Sequence, residues 1–180
     1  MIDYGHFCYA APPRTGVLWF IRACDASGVK PAEYDNRACV EPPHGNGRFT
    51  VTVVRNPYDW LVSYYHAYRG GPTGIPVVDQ FAGLARQAGD VGRFVQLVAR
   101  HKPGSVGGMF DAYRATSVVR LEDMPWALIE LLASFGVDAV AAEYLAPCNV
   151  YQGLPHRPDK RIRAELLAAE ADFCGRYNYL

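Results

Sequence analysis

The chain has 180 residues, half of them hydrophobic and a fifth charged, the balance of a folded globular protein with a single core. Eighteen Lys and Arg residues match eighteen Asp and Glu residues, for a formal net charge of zero. General electrostatic attraction to nucleic acid or to an anionic membrane is therefore not expected.

Residues 6–10 (HFCYA) form a short apolar run ended by Pro12 and Pro13, which reads as a buried strand. Residues 15–26 follow with Val17, Leu18, Phe20, Ile21 and Cys24 at helical spacing. Residues 30–46 are rich in Pro, Gly, Asn and charge and read as loop, with room for a short strand at 38–40. Residues 49–54 (FTVTVV) have the pattern of a strand buried on both faces in a parallel sheet. Arg55-Asn56-Pro57 ends it, and Pro57 suits the first turn of a helix running to about 68. Residues 77–88 and 91–101 read as helices, 102–108 as a breaker-rich loop and 117–121 (SVVRL) as a strand. A helix over 124–135 is capped by Gly136, residues 146–158 are irregular, and a last helix lies within 160–177. Strands alternating with helices predict one α/β domain over residues 1–180, with a mostly parallel central sheet flanked by helices.

Cys8, Cys24, Cys39, Cys148 and Cys174 form no CxxC pair. That pattern argues for reduced cytosolic thiols over a disulfide framework or a zinc site. No basic segment followed by an apolar run opens the sequence, and no stretch approaches the roughly 20 apolar residues of a bilayer span. The expectation is a cytoplasmic protein without a membrane partner.

Two segments carry chemistry. The first, residues 11–19 (APPRTGVLW), joins the first strand to the first helix. A helix N-terminus presents unpaired N–H groups and a positive dipole end, hence a place for an anion. Gly16 permits close backbone approach, and Arg14 adds a forked, permanently charged donor. The Walker pattern GxxxxGK[ST] is absent, which disfavours a nucleoside triphosphatase or a P-loop kinase. The second segment is residues 53–66 (VVRNPYDWLVSYYH). Arg55 ends the predicted parallel strand, where open α/β sheets bind ligands, and its guanidinium can grip a phosphate. Ser63 lies about two helical turns further on. Asp59 in the first turn suits the helix dipole. Trp60, Tyr64, Tyr65 and Tyr68 read as packing residues, with a place at the pocket rim for Tyr64 or Tyr65 as the alternative.

Together these segments resemble the sulfotransferases that use 3′-phosphoadenosine 5′-phosphosulfate (PAPS). Pro13-Arg14-Thr15-Gly16-x-x-Trp19 is similar to that family's 5′-phosphosulfate loop, with Val17 and Leu18 where the family usually carries hydroxyls. Arg55-Asn56-Pro57 with Asp59 and Ser63 is similar to its 3′-phosphate motif. Arg120-Leu121-Glu122-Asp123 resembles a late Arg-Tyr-Glu-Asp segment, and residues 170–180 resemble a terminal helix with an aromatic tail.

The resemblance implies a three-layer P-loop-like fold. It also implies transfer of a sulfuryl group from PAPS to an acceptor hydroxyl or amine, releasing adenosine 3′,5′-bisphosphate (PAP), without a metal. Pro13, Arg14, Thr15, Gly16, Val17, Leu18, Trp19, Arg55 and Ser63 would bind the nucleotide, with Arg14 also stabilising the leaving group. The base that takes the acceptor proton would be His44 or, in its place, Glu41, both in the segment 41–45 (EPPHG). The basic run at 156–161 lies where a C-terminal lid could add phosphate contacts. The partner would be a small-molecule or carbohydrate acceptor, whose identity resides in variable loops. An alternative is a protein of the same fold that holds PAPS or PAP without turnover, suggested by Val17 and Leu18.

Overall fold

The computed structural model describes residues 2–34, 49–72, 74, 76–145 and 159–179. In chain order the elements are β1 (Ile2–Asp3), β2 (Cys8–Ala10), α1 (Val17–Ala26), β3 (Glu33–Tyr34), β4 (Thr50–Val54), α2 (Pro57–Tyr68), α3 (Pro76–Asp79), α4 (Ala82–Ala88), α5 (Val91–His101), α6 (Ser105–Asp111), β5 (Ser117–Arg120), α7 (Trp126–Ser134), α8 (Lys160–Ala169) and α9 (Ala171–Arg176). Single 3-10 turns occupy Leu121–Asp123 and Val140–Tyr144. The expected strand at 38–40 lies outside the described residues. The chain gathers into two compact units, one drawn from Met1–Val54 and Tyr113–Val150, the other from Arg55–Ala112 and Tyr151–Leu180.

The first unit is built on a five-stranded sheet of order β3-β1-β2-β4-β5. β2, β4 and β5 run parallel, with Ala10 opposite Thr52 and Val54 opposite Arg120. β1 runs antiparallel to both β2 and β3. The architecture is therefore α/β with a small mixed sheet, and the expected parallel arrangement is confined to three neighbouring strands. The reason lies in the connection. Tyr4 N–H donates to the Phe7 carbonyl at 2.9 Å, and Gly5, at φ 80°, donates to Asp3 Oδ1 at 2.7 Å. A link this short can join only antiparallel strands.

β4 is buried along its whole length, as its unbroken β-branched run predicts. Thr52 tolerates this burial because its hydroxyl donates to the Ala10 carbonyl at 2.8 Å. α1 turns Trp19, Phe20, Ala23 and Cys24 inward, and Phe20 stacks on Tyr9 with ring centroids 3.9 Å apart. Leu128 and Leu132 of α7 complete this core, each buried Phe or Leu contributing about 1.5–3 kcal/mol. Gly136, at φ 75°, ends α7 as expected: its N–H donates to Ala133 and that of Val137 to Leu132, at 2.9 and 3.1 Å.

The second unit is helical. α2 packs against α4, α5 and α8, and Trp60, Tyr64, Phe81, Phe94, Phe110 and Phe173 are buried within it. Three expectations are corrected here. Residues 77–88 form two helices, α3 ending at Asp79 and α4 starting at Ala82, and Asp79 accepts from the Gly74 N–H at 2.8 Å ahead of α3. The final helix is broken at Glu170 into α8 and α9. The loop expected at 102–108 is largely helix α6. Gly107 belongs there because α6 passes so close to α9 that a Cβ would lie 2.8 Å from that of Phe173.

Candidate functional site

In the first unit, residues 11–16 leave the C-terminal end of β2 and enter α1. Arg14 and Gly16 both adopt positive φ, 66° and 78°. Gly16 is the N-cap and has no side chain to accept from the first-turn N–H groups of α1. Thr15 is fully buried, and its hydroxyl donates to the Pro12 carbonyl at 2.6 Å, closing the turn. Pro13 is buried, Arg14 and Val17 are half-buried, and Leu18 is 45 % exposed. The Trp19 indole lies in the core and donates to the Leu145 carbonyl at 3.2 Å. Of the residues assigned to this loop, Thr15 and Trp19 thus hold its shape, while Arg14, Gly16 and Leu18 reach the surface.

The strand that follows in the same unit explains the shape. β5 ends opposite Val54, and the chain then turns through Leu121–Asp123. Leu121 packs on Gly16 so closely that a Cβ on Gly16 would stand 2.6 Å from Leu121 Cδ1. Arg120 holds this turn, pairing with Asp123 at 2.9 and 3.1 Å. The resemblance at residues 120–123 gives no sign that Leu121 is the residue that props the loop. The neighbouring parallel strands β2, β4 and β5 all end at one edge of the sheet, the edge at which α/β sheets present ligand-binding loops.

In the second unit, Arg55 directly follows Val54 of β4 and is half-buried. Asn56 is buried and caps α2, its Oδ1 accepting from the N–H groups of Tyr58 and Asp59 at 3.0 and 3.4 Å. With Pro57 at the first helical position, the Arg-Asn-Pro triplet is a strand end, a cap and a helix start in succession. Only Pro57 was expected at the helix start; the signal for the cap is the Asn directly before it. Ser63 is buried on α2, 5 % exposed. The aromatic residues of α2 pack as expected: Trp60, Tyr64 and Tyr65 are buried, and Tyr64 stacks on Phe94 with centroids 5.8 Å apart. Burial, followed by the nearby Asp79, pushes the Tyr64 hydroxyl well above the usual phenol range, which removes it as a proton acceptor near neutral pH.

His44 and Glu41, expected to supply the base, lie outside the described residues, as does the start of the basic run at 156–161. Cys8, Cys24 and Cys174 are buried free thiols. Burial pushes the Cys24 thiol up to about 12, so it is no nucleophile. Among the described residues no group of His, Cys, Asp or Glu could hold a metal ion, and no helix is long and apolar enough to cross a membrane. Comparison with family models, curated proteins and solved structures finds no match to this chain.

Proposed function

We propose that this protein is a PAPS-dependent sulfotransferase, transferring a sulfuryl group to an acceptor hydroxyl or amine and releasing PAP. The observation that carries the reading is the glycine-capped N-terminus of α1, entered through Arg14 and Gly16 at positive φ and braced by Leu121. Such an end draws the 5′-phosphosulfate through backbone N–H groups and the helix dipole, and Arg14 offsets the charge that grows on the leaving phosphate. Arg55, at the end of a parallel strand, and Ser63 on α2 are the proposed ligands of the 3′-phosphate. The proposed base is His44 or Glu41. The reading includes a three-layer P-loop-like arrangement, a cytoplasmic location and a chemistry without a metal.

A second reading rests on Val17 and Leu18. The first turn of α1 carries apolar side chains where hydroxyls would otherwise add donors, and the Thr15 hydroxyl is engaged by Pro12. A protein of the same fold that binds PAPS or PAP without turnover would need no more than this loop offers.

Calorimetry with two nucleotides tests the binding half. PAP should bind more tightly than adenosine 5′-phosphosulfate, which lacks the 3′-phosphate, and Arg55→Ala should weaken PAP by roughly 2–5 kcal/mol. Equal affinity for the two nucleotides in the wild type would remove Arg55 and Ser63 from the site. Turnover of labelled PAPS with a panel of acceptors then separates the transferase from the binding protein.

A further inference from the structure

Gly16 governs where the first N–H groups of α1 point, because the N-cap residue sets the entry into the first turn. Glycine brings no preference of its own: without a Cβ it takes positive and negative φ about equally. Yet Gly16 is held at φ 78° and ψ 26°. Part of that hold is local. The Gly16 carbonyl accepts from the Phe20 N–H at 3.0 Å, and the Thr15 hydroxyl closes the turn on the Pro12 carbonyl at 2.6 Å.

Another part comes from far along the chain. Leu121 Cδ1 stands 2.6 Å from the point where a Gly16 Cβ would lie, so a leucine methyl fills the place of the missing side chain and walls the glycine from outside. Leu121 can serve as a wall because it is itself fixed. It packs against the core of the first unit, as does Val17, the residue after Gly16. It follows β5, whose Arg120 is registered opposite Val54. Its carbonyl accepts from the Met124 N–H at 3.3 Å, and Arg120 pairs with Asp123 across the same turn at 2.9 Å.

We propose that Leu121 is a positioning residue for the anion at the N-terminus of α1. It holds Gly16, and with it the first-turn N–H groups, in the binding orientation without touching the ligand. The proposal rests on the reading of this loop as the phosphosulfate site. A site ordered before its ligand arrives loses less of its binding free energy to ordering. Without the Leu121 methyl, Gly16 regains the freedom of an unrestrained glycine, which the anion must then remove. That freedom corresponds to about a two- to fivefold loss of affinity.

The test titrates PAP and inorganic pyrophosphate into the wild type and three variants by calorimetry, well below the melting transition of each. Leu121→Ala and the milder Leu121→Val both remove Cδ1, and Leu121→Val keeps the test open if Leu121→Ala does not fold. Leu121→Met keeps an atom at that reach with a similar volume. Leu121→Ala and Leu121→Val should weaken both ligands by the same factor of about two to five, and Leu121→Met should bind as the wild type does. Amide hydrogen exchange at residues 16–18 should quicken in the two truncated variants alone. Wild-type affinity for pyrophosphate in the truncated variants overturns the proposal and leaves the anion site standing. So does a loss confined to PAP, since Leu121 then touches the nucleoside, or an equal loss in Leu121→Met. A wild type that does not bind pyrophosphate removes the reading of the loop as an anion site, and the proposal falls with it.

Discussion

Replacing Gly16 by Ala probes the brace under the proposed anion loop. Two costs follow from the geometry. At φ 78° an L-residue is strained, by roughly 1–2 kcal/mol. The new Cβ would also stand 2.6 Å from Leu121 Cδ1, well inside a van der Waals contact. Leu121 is half-buried, so its methyl can swing aside at about 0.5–1.5 kcal/mol of rotamer strain. The sum is about 1.5–3.5 kcal/mol, a fall in Tm of about 3–14 °C for a chain of this size. Urea unfolding of Gly16→Ala, Leu121→Ala and the double variant resolves the two parts. In the Leu121→Ala background only the backbone strain should remain, leaving a coupling of about 0.5–1.5 kcal/mol. If Gly16→Ala costs less than about 0.5 kcal/mol, the positive-φ account is wrong. If its cost is the same with and without Leu121, the close contact is wrong even though the backbone strain stands.

Glu170 is 2 % exposed and accepts from the N–H groups of Val106 and Gly107 at 3.1 and 2.9 Å, so Glu170→Ala should cost about 2–4 kcal/mol by leaving two buried donors unmet, and denaturant unfolding measures it. Burial raises the Glu170 carboxyl above its ordinary value, against the opposing pull of those N–H groups. A proton held more tightly in the folded chain stabilises it in acid, and that advantage drains away as pH rises from about 4.3 through the raised value. The stability of wild type relative to Glu170→Gln should therefore decline over that window; a flat or rising difference would contradict it. If His44 is the base, His44→Ala should slow transfer by about a hundredfold or more with PAP affinity nearly unchanged. If instead Glu41→Gln abolishes turnover and His44→Ala does not, the glutamate is the base.

Much of the secondary structure could be read along the chain because its signals are local. The run at 49–54 is β-branched throughout, and a strand buried on both faces needs that composition. Asn-Pro after Arg55 starts α2 by cap and ring geometry, and Gly136 ends α7 because a left-handed residue closes the helix cheaply. The two chemical segments are likewise contiguous in sequence, and so their strand-to-helix placement was legible. What local chemistry could not decide depends on residues far apart in the chain. β1 and β3 are two-residue strands, too short for any periodicity, and exist through their pairing. α6 forms in a Gly-rich stretch because Glu170, 64 residues from Val106, takes up its N–H groups, and because Phe173 leaves space there only for glycine. Leu121 reads as a substitution for an aromatic residue until the parallel register of β4 and β5 carries it against Gly16. Local preferences amount to tenths of a kcal/mol per residue, whereas a buried acceptor or a packed side chain is worth several times that. Where the two conflict, as at residues 105–111, the tertiary contact decides.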